Sequence, residues 1–214
     1  MFFSTGRPGI TNARSVGGVD GIAVGVVGVD IELSRLMRRL HRRATIDELT
    51  GILNRAHLFE RGTRALADAR RQLHPLAVAV FDLDGFKDLN DRNGHRAGDD
   101  ALREVSARFA ALCRADDHVG RLGGDEFALV LPRTGPLEAQ QLAERLCAAI
   151  GATPLATSAG PVTLTASVGV ASLGPTDASF DDVLAAADLR MLSAKSTDRR
   201  RGSLVRTTDD AVMR

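Results

Sequence analysis

The sequence predicts an α+β domain built on a strand–helix–strand–strand–helix–strand core. Short apolar runs alternate with longer stretches whose apolar residues recur every three or four positions. Two of the short runs are separated by a glycine pair, a hairpin signal. Hydrophobic residues make up 44% and charged residues 26% of the 214, as in a soluble globular protein.

In chain order, Ala56–Gln72 has helical spacing, and Leu76–Phe81 is a short apolar strand that starts after Pro75. Asp99–Cys113 reads as a helix with Leu102, Val105, Phe109 and Leu112 on one face. His118–Leu122 and Phe127–Leu131 are strands joined through Gly123-Gly124. Leu137–Ile150 is helical, with Leu142, Leu146 and Ile150 in step, Val162–Ala171 is a strand, and Phe180–Ser196 is the last helix. The order is the ferredoxin-like βαββαβ pattern. The compact unit is placed at 47–200. The basic, then polar, tail from Arg199 to Arg214 reads as frayed, and 201–214 is assigned as flexible.

Residues 1–31 read as a disordered segment plus a lone strand, Gly21–Ile31, which needs a sheet from elsewhere. Over 32–46, Leu33, Leu36, Met37, Leu40 and Ala44 form one helical stripe among five arginines. This amphipathic linker helix either packs on its own domain or forms a short coiled coil.

Net charge is +1, so nothing global points to nucleic acid or a membrane surface. The lack of Trp and Tyr weakens any base-stacking platform. Cys113 and Cys147 lie in helix-like apolar stretches and read as core packing in a reducing compartment. Met1–Gly18 lacks the apolar core of a signal peptide, and Gly21–Val29 is too short to span a bilayer. The expectation is a cytoplasmic protein without membrane insertion.

Fold order carries a chemical consequence. In this sheet the first core strand lies antiparallel to the third, so Asp82 at the end of one falls beside Asp125 and Glu126 at the start of the other. Such carboxylates repel unless a cation lies between them, and oxygen-only ligands favour Mg²⁺. Solvated turn carboxylates are the alternative on spacing alone. A calcium loop is not supported, since Gly85 comes too early after Asp82.

Gly123-Gly124-Asp125-Glu126-Phe127 resembles the signature of the GGDEF family of diguanylate cyclases. The likeness extends in order along the chain. Asp47-Glu48-Leu49-Thr50-Gly51-Ile52-Leu53-Asn54-Arg55 is similar to the family's opening segment, and Phe81 to Lys87, Asn90-Asp91, Gly94-His95 and Gly98-Asp99 to its metal and guanine segment. Ser167–Ala171 resembles its fourth-strand segment, and Ala187-Asp188 and Ala194-Lys195 its final helix. Together these resemble a nucleotidyl cyclase or polymerase palm domain.

The resemblance implies roles. Asp82, Asp125 and the Leu83 carbonyl bind metal, and Glu126 binds a second metal or activates the attacking hydroxyl. Up to two Mg²⁺ ions, with Mn²⁺ a substitute, would serve each site. Asn90 and Asp99 form the guanine-reading pair, with Phe86 beside them. A carboxylate accepts from guanine N1–H and its amino group, which adenine does not offer. On its own, Asp99 reads also as a helix N-cap. Gly123 and Gly124 let the backbone approach phosphates. Lys87, Lys195 and Arg199 are implied as triphosphate contacts, the last two being four apart on one helix face. Here the sequence departs from the family: Leu192 stands for an aromatic residue and Asp198 for a glycine, which sets a negative charge beside Arg199. Arg114-Ala115-Asp116-Asp117 resembles the inhibitory RxxD site, with Arg114 and Asp117 reading guanine and Arg121 a second basic contact. His95, between glycines, is read as structural.

The implied reaction joins two GTP molecules into cyclic di-GMP and two pyrophosphates. One guanine pocket per chain calls for a homodimer. A degenerate domain that only binds GTP or cyclic di-GMP is the alternative, followed by another nucleotidyl transfer on the same sheet. No G-x-x-x-x-G-K-S/T segment supports a P-loop GTPase. Gly25–Asp30 resembles the final strand of PAS or Cache sensors, a possible remnant.

Overall fold

The computed structural model describes residues 45–209, with side chains through Ser196, and two short strands before them. Those strands, β1 (Val16–Gly17) and β2 (Ala23–Val24), pair antiparallel. The N-terminal strand is therefore not a lone one, because a second strand supplies its backbone partners. The linker helix expected over 32–46 falls, up to residue 44, outside the described residues. The chain divides into two units, Met1–Thr45 and Ile46–Arg214.

The second unit runs β3 (Leu53–Asn54), α1 (Arg55–Gln72), β4 (Leu76–Asp84), α2 (Phe86–Asn93), α3 (His95–Leu112), β5 (His118–Gly123), β6 (Glu126–Pro132), α4 (Pro136–Ala152), β7 (Thr165–Ser172) and α5 (Phe180–Asp209). The sheet order is β3-β5-β6-β4-β7. β4 is an interior strand antiparallel to both β6 and β7, β5 is antiparallel to β6, and β3 joins β5 in parallel. Without β3, this is the expected ferredoxin-like order.

The continuous apolar run in β4 follows from burial on both faces. Side chains alternate across a strand. Ala77, Ala79, Phe81 and Leu83 face one core with Val105 and Phe109 of α3 and Leu146 of α4. Leu76, Val78 and Val80 face another with Leu58 of α1 and Val183 and Ala187 of α5. Phe109 packs its ring against both Phe81 and Phe127, at centroid distances of 4.9 and 5.5 Å.

Several boundaries differ from the sequence reading. α2 is an additional helix, and α3 begins at His95, four residues before Asp99. Gly85 (φ 74°) and Gly94 (φ 81°) separate the two helices from what precedes them, in a backbone region that favours glycine. α2 is mostly polar and buries only Leu89, so it carries little periodic signal. β7 starts at Thr165, because Val162 pairs with Leu155 in a separate bridge. α5 continues to Asp209, past the point where fraying was expected.

Candidate active site at the sheet edge

Asp82 is in register with Glu126 of β6 on one side and Ser167 of β7 on the other. The Leu83 amide donates to the Asp125 carbonyl at 3.3 Å. The three carboxylates of Asp82, Asp125 and Glu126 thus gather at one edge of the sheet, as strand order requires. α5 brings a cation to them: Lys195 Nζ is ion-paired with Asp82 Oδ1. Close packing fixes this placement, since a Cβ on Gly169 of β7 would collide with the α5 backbone around Ala187 and Met191.

Burial pushes the Asp125 carboxyl up, repulsion from Asp82 adds to it, and the Lys195 and Arg121 charges oppose it. Burial raises Glu126 as well, followed by repulsion from Asp82, Asp188 and Asp125, with Arg55 opposing. Crowded carboxylates of this kind call for a cation. Among the described residues, no group of three or more His, Cys, Asp or Glu side chains is arranged to hold a metal ion. Asp82 and Asp125 instead suit an ion that takes one or two carboxylates and completes its shell with phosphate and water, as Mg²⁺ does.

Beside the carboxylates opens a cleft of about 550 Å³, lined by Leu83, Phe86, Lys87, Asp125 and Lys195 among others. The exposed Gly123-Gly124 turn stands next to Asp125, with Gly124 at φ 53°. Arg199 lies on α5, and its side chain is outside the described residues.

α2 and α3 build the second part of the site. Asn90 Oδ1 is buried without a hydrogen-bond partner. Gly98 makes that possible: a Cβ there would strike the Asn90 amide and crowd the Phe86 ring. An unpartnered buried acceptor is costly and points to a missing donor. Asp99 follows Gly98 inside α3, whose N-cap is Gly94, so Asp99 does not cap the helix.

Arg121 differs from its expected place. Its Nε and Nη2 donate to the Gly124 carbonyl at 2.9 and 2.7 Å, and Nη1 donates to the Asp47 carboxylate at 3.3 and 3.4 Å. It braces the glycine turn against the Asp47 loop and is engaged there, away from the RxxD turn. The sequence reading missed this because strand register, not a motif, brings the two segments together.

The RxxD segment closes a turn: Arg114 N donates to Asp117 Oδ2 at 2.7 Å, and Asp117 N donates to Arg114 O at 3.1 Å. Arg114 lines a cleft of about 630 Å³ with Gln141, Glu144 and Arg145 of α4. Arg145 is a further candidate that the sequence did not single out, since a lone arginine on a helix reads as solvated surface. Both cysteines pack on the core, and burial pushes their thiols up to about 12 for Cys113 and about 11 for Cys147.

The model of the family described as diguanylate cyclase, GGDEF domain, matches residues 44–201. The chain belongs to the GGDEF family. It is 38% identical over 160 residues to the diguanylate cyclase DgcP of Pseudomonas aeruginosa, covering 75% of this chain and 24% of that protein. It is 37% identical over 161 residues to the diguanylate cyclase DosC of Escherichia coli K12, covering 74% of this chain and 35% of that protein. The chain therefore spans only a quarter to a third of these curated relatives. Among solved structures, the coiled coil and GGDEF domain of DgcB from Caulobacter crescentus, in complex with c-di-GMP, aligns with a TM-score of 0.72 and 28% identity. That alignment covers 78% of this chain and 90% of the other. The diguanylate cyclase SiaD of Pseudomonas aeruginosa, in complex with its activator SiaC, aligns with a TM-score of 0.68 at 30% identity, over 79% of this chain and 66% of the other. The GGDEF assignment spans the sheet edge and both flanking helices, so the carboxylates, Asn90 and Lys195 all lie within the matched residues. No helix among the described residues is long and apolar enough to cross a membrane.

Proposed function

We propose that this GGDEF domain is a diguanylate cyclase that condenses two GTP molecules into cyclic di-GMP with release of two pyrophosphates. The observation that carries the reading is the meeting of Asp82, Asp125 and Glu126 beside a cleft lined by Phe86, Lys87 and Lys195, with the unpartnered Asn90 Oδ1 packed on Gly98 beside the Phe86 ring.

Asn90 and Asp99 would receive the guanine edge, where Asn90 Oδ1 accepts a donor and Asp99 accepts from N1–H and the amino group. Lys87 and Lys195 would neutralise the triphosphate and orient its α-phosphorus. Asp82, Asp125 and the Leu83 carbonyl would hold Mg²⁺, with Glu126 available for a second ion; Mn²⁺ has the same preference for oxygen ligands. Bound there, the ions would offset charge on the entering and leaving oxygens. Glu126, raised by burial and then by repulsion from Asp82, Asp188 and Asp125, would accept the proton of the 3′-hydroxyl. That hydroxyl attacks the α-phosphate of the second GTP, the P–O bond to pyrophosphate breaks, and the reverse attack closes the ring. A domain with one such pocket works as a symmetric homodimer. Its substrate pool and thiols suit the cytoplasm, and the near-neutral net charge of +1 gives no footprint for nucleic acid. Product binding at Arg114 and Asp117, supported by the adjoining cleft with Arg145, would restrain activity.

The receptor alternative rests on one observation: Leu192, where the family carries an aromatic residue, is exposed on α5. Incubation of the purified chain with GTP and Mg²⁺, with chromatography of the products, separates the two. Cyclic di-GMP and pyrophosphate are expected. Nucleotide binding without turnover would instead identify a receptor.

A further inference from the structure

Lys195 and Asp82 make a pair that the reaction itself does not require. Their side chains are 22% and 13% exposed, so the pair is largely withdrawn from water. The ammonium thus occupies the electrostatic position that a divalent cation would take at Asp82, and it also moderates the charge of Asp125. Among the described residues no other cation is ion-paired with Asp82, and Arg121, which also opposes the Asp125 charge, is engaged by Asp47 and Gly124. Arg55 is the positive group nearest Glu126 in effect, but its guanidinium lies over the Phe59 ring, 5.4 Å from the centroid. Lys87 is exposed at the cleft without an ion pair.

We propose that Lys195 is a resident counter-ion that holds the carboxylate edge closed to divalent metal until a nucleoside triphosphate draws the ammonium away. The inference rests on the cyclase reading of the cleft. Two cations do not share one carboxylate edge without repulsion, so metal arriving alone must displace Lys195. A triphosphate in the cleft offers the ammonium another anion within the swing of its four-carbon stem. α5 itself need not move, since its backbone is seated on Gly169. Asp82 is then freed as the phosphates arrive, and metal and nucleotide enter together. Linkage makes the coupling reciprocal: each ligand tightens the other by the same factor.

The test is titration of Mn²⁺, followed by the electron paramagnetic resonance of the free ion, with and without a GTP analogue whose α,β-bridge is methylene. Wild type should bind Mn²⁺ weakly alone and about tenfold or more tightly with the analogue. Lys195→Gln should bind Mn²⁺ alone about five- to tenfold more tightly than wild type, the scale of a partly buried ion pair, and gain less from the analogue. Lys195→Arg keeps the charge and should behave as wild type, and Lys195→Met should repeat the glutamine result. Adding Asp82→Asn to Lys195→Gln should remove the gain. If Lys195→Gln and Lys195→Met bind Mn²⁺ alone no better than wild type, while wild type binds it with the analogue, the counter-ion role is wrong and the cyclase reading stands. If no protein binds Mn²⁺ under either condition, both fall.

Discussion

The Arg121 guanidinium joins Asp47 to the carbonyl of Gly124, tying the loop at the domain's entrance to the turn that presents Asp125. Thr50 completes the Asp47 end, donating to its Oδ1 from both N and Oγ1 at 2.9 and 2.7 Å. The link spans residues 74 apart in sequence.

This link predicts an acid-sensitive component of stability. Burial works against the Asp47 carboxylate, but the Thr50 hydrogen bonds and the Arg121 charge outweigh it and hold the group below its usual value of 3.8. The folded state therefore binds fewer protons at Asp47 than the unfolded state. The contribution is fully present above the unfolded value and is lost as pH falls through the lowered one. Urea unfolding should show Asp47→Asn less stable than wild type at neutral pH, by about 1–3 kcal/mol, with the gap narrowing in acid. An equal gap at both pH values would remove the charge from the account.

Asp82→Asn should leave the fold intact and abolish cyclisation. Near-normal cyclic di-GMP formation by this variant, measured by chromatography, would take Asp82 out of the site. Thermal stabilisation of the wild-type GTP complex by Mg²⁺ should also vanish in the variant, which tests the same carboxylate without relying on turnover.

Gly98→Ala should weaken guanine-nucleotide binding more than it weakens the fold. The new methyl group meets the far end of the Asn90 side chain, which turns aside and loses the position from which its Oδ1 accepts. Calorimetry should show GTP bound well above ATP by wild type, with each lost polar contact worth about 1–3 kcal/mol, and the preference reduced in both Gly98→Ala and Asn90→Ala. Equal GTP and ATP affinities in wild type would contradict the pocket.

The core strands and the convergence of Asp82 with Glu126 were legible because alternation and strand order fix them before any side chain is placed. α2 was not legible, since its ends are set by glycine backbone conformation and its surface is polar. Packing that depends on an absent Cβ, at Gly98 and Gly169, leaves no pattern in composition. Lys195 and Arg121 were named for triphosphate and product contacts, but their partners Asp82, Asp47 and Gly124 were not, and Arg145 was not singled out, because the partners of a long basic side chain are chosen by tertiary register. The alternative in which Asp99 caps its helix failed for the same reason that α2 was missed: both depend on where α3 begins.

Product restraint should act through Arg114 and not through Arg121. Arg121 is engaged by Asp47 and Gly124, so removing it should disturb the catalytic turn and lower the initial rate. Arg114 instead faces a cleft on α4, at the other end of β5 from the glycine turn, where Arg145 adds a second planar donor fork. Guanine offers such donors its Hoogsteen acceptors, while a phosphate takes the remaining charge. Arg114→Ala should leave the initial rate near that of wild type and keep progress curves linear for longer, and Arg145→Ala should do so in part. Added cyclic di-GMP should inhibit wild type more strongly than Arg114→Ala. Equal inhibition of the two would place the restraint elsewhere, because the only charge removed would be the one assigned to hold the product.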